Sequence, residues 1–289
     1  MEIEFAKGEA TGNDFVLVYD PDATLDLSIE QIRLLCDRNF GIGADGLILI
    51  RKTEHSSEVS DQLIDEPRAT WFMDYRNADG SAAEMCGNGI RLFAHFLLER
   101  GLALLESGST LPIATRAGIK DISRVATGYA VDLGEWRLVE ADTLVRTPGL
   151  GAARPAISVW LGNPHQVVVV PDLQQLAAIN LATAPTVEPP SERGENVEFV
   201  VPADPLVVEG VGQLSMRVHE RGVGETLSCG TGAAAAALAV RHLAGGSQNH
   251  WRVEVPGGTL GVMIFQAEVA PRVALSGPAR IAFTGHIDV

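Results

Sequence analysis

The chain has 289 residues, enough for about two domains at roughly 150 residues each. It carries 22 Lys and Arg against 37 Asp and Glu, a net charge of −15, which repels nucleic-acid phosphates and anionic lipid alike. Hydrophobic residues at 46% and charged residues at 20% describe a folded globular chain, not a disordered one.

Phe15 to Tyr19 reads as a buried strand. Ser28 with Gln31 forms a capping-box pattern, and Ile29, Ile32, Leu34 and Leu35 follow at helical spacing. Leu47 to Ile50 is a second buried strand, residues 53–68 a polar surface excursion, and Trp71 to Tyr75 a third strand. Asn88 to Arg100 predicts a helix stopped by Gly101. Ile157 to Leu161 and Val167 to Val170 read as strands. Asp172 caps a short helix to Ile179, and Pro185, Pro189 and Pro190 mark an irregular loop. Gln213 to His219 alternates as a strand does, Gly232 to Leu243 is a helix ended by Gly245-Gly246, and strands follow from Trp251. Strands outnumber helices without regular β-α-β alternation, which predicts an α+β architecture. The longest apolar run, Ala233 to Val240, is eight residues, short of the ~20 that span a bilayer. The first residues show no basic and apolar leader pattern.

The chain repeats itself. Gly12-Asn13-Asp14-Phe15 has a counterpart in Gly162-Asn163-Pro164-His165. Cys86-Gly87-Asn88-Gly89 has one in Cys229-Gly230-Thr231-Gly232, each opening a helix. The offsets, 150 and 143 positions, are close to half the chain. Two related halves are expected, each bringing one Cys-Gly-x-Gly to a helix start.

Three cysteines, Cys36, Cys86 and Cys229, are too few for a disulfide framework, so a reducing, cytoplasmic setting is expected. Cys36 sits among leucines without a glycine turn and reads as a packing residue. One Cys-Gly-x-Gly alone is commonly a small core residue with glycines for close packing. Two, symmetrically placed, read as reagents. Glycines leave backbone N–H groups uncovered, and the helix start lends its positive dipole end. Such a site lowers a thiol pKa from about 8.5 and receives a carboxylate. Two activated thiols at equivalent places suggest one shared site, with a thiolate removing a proton from one face of a carbon and a thiol returning one to the other.

These residues resemble a known family. Gly12-Asn13-Asp14-Phe15, Gly41-Ile42-Gly43-Ala44-Asp45-Gly46, Asn77-Ala78-Asp79-Gly80-Ser81, Met85-Cys86-Gly87-Asn88-Gly89-Ile90-Arg91, Gly162-Asn163-Pro164-His165, Glu220-Arg221-Gly222-x-Gly224-Glu225-Thr226 and Cys229-Gly230-Thr231-Gly232 are similar to the motifs of diaminopimelate epimerases. Pro256-Gly257-Gly258 extends the match. The resemblance implies two pseudo-symmetric domains, each a β-rich barrel or roll around a central helix: residues 1–132 plus 277–289 with Cys86, and 133–276 with Cys229. It implies interconversion of LL- and meso-2,6-diaminopimelate, on the route to lysine and peptidoglycan, without a cofactor and in a homodimer.

By the same resemblance Cys86 and Cys229 are the two bases. Gly87, Asn88, Gly230 and Thr231 hold the reacting α-carboxylate. Asn13, Asn77, Asn163, Asn196, Glu220 and Arg221 bind the substrate's other polar groups, and His165 and Glu220 tune the thiols. On local grounds alone Asn13, Asn77 and Asn163 are turn formers, His165 is structural, and Glu220-Arg221 is a solvated pair. Position 46, a substrate-contacting glutamine in some members, is glycine here and is left out of the site.

Gly41-x-Gly43-x-x-Gly46 fits the dinucleotide fingerprint formally, but a helix precedes it and a strand follows, the reverse of what that fingerprint needs. No His-x-x-x-His, Cys-x-x-Cys or Gly-x-Ser-x-Gly occurs, so no metal site is expected. Three alternatives stay open at this point: a racemase of the proline racemase type, whose first motif usually has His where Asn88 stands; a redox pair of Cys86 and Cys229; and a non-catalytic amino-acid binder.

Overall fold

The computed structural model describes residues 1–191 and 194–289. In chain order the elements are β1 (Glu2–Ala10), β2 (Asn13–Tyr19), α1 (Ile29–Cys36), β3 (Gly46–Lys52), α2 (Gln62–Asp65), β4 (Trp71–Asn77), α3 (Gly87–Glu99), β5 (Leu111–Ile113), β6 (Lys120–Val125), β7 (Gly128–Glu135), β8 (Arg137–Arg146), β9 (Arg154–Trp160), β10 (Pro164–Val169), α4 (Leu173–Ala178), β11 (Thr186–Glu188), β12 (Asn196–Val208), β13 (Val211–Glu220), β14 (Gly224–Thr226), α5 (Gly230–Leu243), β15 (His250–Val255), β16 (Gly258–Gln266), β17 (Pro271–Gly277) and β18 (Arg280–Asp288). The architecture is α+β, and the chain divides into two compact units, Met1–Asp132 with Ser276–Val289, and Leu133–Leu275. No helix of the described residues is long and apolar enough to cross a membrane.

The first unit is built on a five-stranded sheet in the order β18-β1-β2-β3-β4. β1 and β2 form a hairpin whose turn puts Thr11 and Gly12 at positive φ, 51° and 85°. β2 and β3 run parallel; β3 and β4 run antiparallel. Both faces of this sheet are covered, which explains the unbroken apolar runs in β2 and β3. Val16, Val18, Leu47 and Leu49 meet Ile32, Leu35 and Cys36 of α1. On the other face α3 lies against β1, β2, β3, β4 and β18. Gly8 permits the approach, because a Cβ there would lie 2.7 Å from Leu92. The Ser28 capping box starts α1 as expected, with Gln31 N donating to Ser28 Oγ at 3.2 Å.

In the second unit the strands run β11-β8-β9-β10-β12-β13-β15-β16, with β14 paired to β13. β10/β12 and β13/β15 are parallel. Helix α5 contacts β9, β10, β12, β13, β15 and β16. It is apolar around its whole girth, and Ala233 through Ala239 are buried. A helix surrounded by strands must be apolar on every face, and alanine lets the strands come close. On the far side α4, capped by Asp172, seals a cluster of Leu176, Ile179, Val168, Phe199 and Val201.

Two local readings are adjusted. Residues 53–68 are not wholly a surface excursion: they hold a 3-10 turn at Thr53–His55 and α2, and Val59 is buried against Phe72 and Ala114. The proline loop adds a short strand, β11, to β8. Both depend on neighbours remote in sequence.

Candidate active site

Each unit places one cysteine at the start of its central helix. Cys86 is the N-cap of α3, at φ −135° and ψ 121°, and Gly89 N donates to its sulfur at 3.4 Å. Cys229 is the N-cap of α5, at φ −120° and ψ 117°, and Gly232 N donates to its sulfur at 3.4 Å. The sulfur thus occupies the place a serine or aspartate oxygen takes at an ordinary N-cap. Glycine at the third helical position leaves no Cβ over the sulfur. At Gly232 a Cβ would lie 3.2 Å from the Cys229 sulfur and 2.8 Å from Glu198 Oε1.

Around Cys86 the polar side chains form one directed chain. Asn88 is buried. Arg91, a donor only, bonds to Asn88 Oδ1. That turns the Asn88 amide nitrogen toward Asn13 Oδ1, to which it donates. Asn13 Nδ2 then donates to Asp45 Oδ2 at 3.1 Å. Asp45 is held by Arg38, 2.8 Å from its other oxygen, and Arg38 and Lys7 both grip Asp14, at 2.8 and 2.7 Å. Burial would raise the Asp14 pKa, but the hydrogen bonds and charges of Arg38 and Lys7 win and hold it at about 2.

Asn77 sits at the end of β4 and serves its own turn. Its Nδ2 donates to Ser81 Oγ at 3.0 Å, and its carbonyl accepts from Gly80 N at 2.9 Å. Among the described residues it has no hydrogen bond to Asn13, Asn88 or Cys86. Across β3 from it, Gly46 admits no side chain, because a Cβ there would meet the Arg76 carbonyl and the Tyr75 ring at 2.6 Å.

In the second unit, Glu220 accepts from Thr226 Oγ1, and its charge acts on Cys229. Thr231 Oγ1 lies 3.6 Å from the Cys229 sulfur. His165 is buried, with Nδ1 2.7 Å from Glu198 Oε1 and Nε2 2.9 Å from Asn163 Oδ1. Asn196 Nδ2 donates to the Pro164 carbonyl at 3.2 Å, and Asn196 Oδ1 accepts from Arg221 N at 3.0 Å. Asn196 thereby ties the Gly162-Asn163-Pro164-His165 segment to the end of β13. The Arg221 side chain is exposed, and among the described residues its guanidinium has no partner. Glu220 is mostly buried, and burial raises its pKa, so it is not the solvated pair member that local sequence suggests.

One expectation is overturned here. A helix start is expected to lower the thiol pKa, yet burial pushes Cys229 well above its ordinary value. Glu220 and Glu198 push the same way, and only Gly232 N–H and Thr231 oppose them. Desolvation and two carboxylates outweigh one helix end.

Glu198 and Arg91 went unnoticed in the sequence as site residues. Each is a lone charge in an apolar run, Val197-Glu198-Phe199-Val200 and Ile90-Arg91-Leu92-Phe93, and that mismatch was the available signal.

A family model described as diaminopimelate epimerase matches residues 5–139 and 157–281. A diaminopimelate epimerase of Corynebacterium glutamicum is 41% identical over 296 residues, covering 100% of this chain and 99% of that one. One of Streptomyces coelicolor is 40% identical over 296 residues, covering 99% and 96%. Among solved structures, a Bacillus anthracis phenazine biosynthesis protein of the PhzF family superposes with TM-score 0.70 at 17% identity over 100% of both chains. A hydroxyproline epimerase from Agrobacterium vitis gives TM-score 0.65 at 14% identity, over 99% of this chain and 92% of that one. These two structures speak to the fold alone.

Proposed function

The chain belongs to the diaminopimelate epimerase family, and from that premise we propose that it interconverts LL- and meso-2,6-diaminopimelate by two-base proton transfer at one α-carbon. The reading rests on one observation: each unit presents a cysteine sulfur at the N-cap of its central helix, beside glycines that leave N–H groups uncovered.

In this scheme one cysteine acts as thiolate and takes the α-proton. The electron pair left behind spreads into the α-carboxylate. N–H groups at Gly87, Asn88, Gly230 and Thr231 stabilise that growing charge, as helix starts do for anions. The other cysteine acts as thiol and delivers its proton to the opposite face of the carbon. The C–H bond broken is replaced by a C–H bond formed, and the negative charge moves from one sulfur to the other. No redox partner or cofactor enters the balance. The exposed guanidinium of Arg221 suits the distal carboxylate. The Asn13–Asn88 chain and the Asn163–Asn196 pair suit the remaining polar groups, and Glu220 suits an ammonium. A substrate lacking the distal end would leave these groups unpaired, which is how the site selects a dicarboxylate. The enzyme works in the cytoplasm as a homodimer on this reading, and gel filtration with light scattering tests the second point.

Turnover of LL-diaminopimelate in deuterated water tests the scheme. The meso product should carry one solvent deuterium at the inverted α-carbon, and the same experiment with proline or glutamate should show no label. Product without deuterium, or exchange with proline in place of diaminopimelate, overturns the proposal.

A further inference from the structure

None of the side chains in residues 81–85, the segment that delivers Cys86 to α3, is fully buried. Apolar packing therefore does little to fix the segment, and hydrogen bonds set its place. Asn77 N donates to the Ser81 carbonyl at 2.9 Å, Ala83 N to the Tyr75 carbonyl at 3.1 Å and Ala117 N to the Glu84 carbonyl at 3.2 Å. A further tether is the Arg116 guanidinium. Its Nη1 donates to the Tyr75 and Ala83 carbonyls at 3.2 and 3.3 Å. Its Nε and Nη2 fork onto Glu58, both at 2.8 Å, and Nη2 also donates to Asp74 Oδ1 at 2.6 Å. A guanidinium has five N–H donors in a fixed plane, and these five acceptors match them.

Arg116 is itself held from behind. It follows β5, where Ala114 is locked to β4: Met73 N donates to the Ala114 carbonyl at 3.0 Å, and Ala114 N to the Trp71 carbonyl at 2.9 Å. Thr115 is buried; its Oγ1 donates to the Gly118 carbonyl at 2.6 Å, and its own carbonyl accepts from Gln62 Nε2 of α2 at 2.8 Å. Glu58 and Gln62 both belong to residues 53–68, whose Val59 is anchored against Phe72 and Ala114. That excursion thus carries a carboxylate that neutralises Arg116 and an amide that fixes its backbone. Asp74, completely buried, is shared among Arg51, Arg76 and Arg116, so Arg116 cannot swing away without loosening the network. The second unit approaches its cysteine differently: β14 pairs with β13, and Gly257 N donates to the Leu227 carbonyl at 2.9 Å. An arginine in the first unit does part of what a paired strand does in the second.

We infer that Arg116 is a positioning residue for the reaction at Cys86: by bracing residues 81–85 it fixes where the Cys86 sulfur stands at the start of α3, and residues 53–68 aim it. The inference rests on the epimerase reading and extends it to a residue outside the proposed substrate contacts. Ala83, whose carbonyl Arg116 holds, is three positions before Cys86. Loss of the fork frees this segment while α3 stays in place, because Ile90, Leu92 and Phe93 are buried. The sulfur then moves relative to the N–H groups of the helix start, and misplacing a reacting group by about 1 Å costs up to about 100-fold in rate.

Arg116→Lys keeps the charge but replaces the planar fork by a single ammonium. Its kcat should fall at least about tenfold, with KM within about threefold of the starting value. Without substrate, alkylation by iodoacetamide reads each sulfur alone: Cys86 in protein carrying Cys36→Ala and Cys229→Ala, and Cys229 in protein carrying Cys36→Ala and Cys86→Ala. Arg116→Lys should change the Cys86 rate by about threefold or more and leave the Cys229 rate within error. An unchanged kcat or an unchanged Cys86 rate, even with a lowered melting temperature, makes Arg116 a stabilising residue only and overturns the inference; so do equal changes at both cysteines. Glu58→Gln, which weakens the brace at a half-exposed side chain, should move kcat and the Cys86 rate in the same direction by a smaller factor. Should Arg116→Lys fail to fold by circular dichroism, Glu58→Gln decides alone, and unchanged readouts there overturn the inference. Because alkylation needs no substrate, its failure is distinct from failure of the deuterium experiment, which judges the epimerase reading itself.

Discussion

His165 Nδ1 lies 2.7 Å from Glu198 Oε1, and both side chains are sealed from solvent. The other carboxylate oxygen, Oε2, is buried and has no hydrogen-bond partner among the described residues. A buried pair of this kind is costly to break from one side, because the survivor keeps its desolvation penalty. Glu198→Ala should therefore lower the unfolding free energy by about 3–5 kcal/mol, read from urea denaturation. A loss within error of zero would mean that His165 finds another partner.

Asp14 gives a pH signature. Its folded pKa of about 2 is below its ordinary value of 3.8, so its stabilisation is complete above pH about 4 and is lost as pH falls through about 2. Asp14→Asn should cost about 1–2 kcal/mol at neutral pH. Stability curves of the two proteins should converge as acid is added between those limits. Curves that stay parallel contradict the ion-pair assignment to Lys7 and Arg38.

The directed chain through Asn88 predicts the effect of a near-isosteric change. In Asn88→Asp an acceptor replaces the nitrogen that donates to Asn13 Oδ1, so two oxygens face each other. A loss of roughly 100-fold in kcat/KM, about 3 kcal/mol, is expected. The mirror change Asn13→Asp removes the donor to Asp45 and should be comparably harmful. Steady-state kinetics with both stereoisomers measure this.

Two glycines are held by space alone. Gly46→Gln places a Cβ 2.6 Å from the Arg76 carbonyl and the Tyr75 ring, so it should destabilise the first unit by about 1–3 kcal/mol. Gly232→Ala intrudes at 2.8 Å on Glu198 and 3.2 Å on Cys229. It should lower kcat at least about tenfold, since small displacements of reacting groups are expensive. Thermal melts and rate measurements distinguish the two effects.

The three cysteines should separate cleanly. Cys86→Ala and Cys229→Ala should each abolish epimerisation while diaminopimelate still binds, as judged by calorimetry. Cys36, the last residue of α1, is buried in the cluster with Val16, Val18, Leu47 and Leu49 of β2 and β3, and burial raises its pKa to about 11. Cys36→Ala should retain full turnover and lose about 1 kcal/mol of stability from the small cavity. Retained turnover in either capping-cysteine variant would sink the two-base scheme.

Much of the site was legible because its signals are short-ranged. A cap reaches three residues, from Cys86 to Gly89 and from Cys229 to Gly232, and Ser28 to Gln31 is a capping box of the same reach. Periods of 2 and 3.6 likewise show within a dozen residues, so β2, β3, α1, α3, α5 and the repeat could be read directly. What the sequence left open is which charges meet. Arg91 reaches Pro278 across 187 positions, Asn88 reaches Asn13 across 75, and His165 reaches Glu198 across 33. Whether a thiol is favoured as anion or kept protonated depends on desolvation and on the charges that packing brings beside it. No local window contains those, and only the folded chain decided that two carboxylates, Glu198 and Glu220, stand beside Cys229 and push its thiol up.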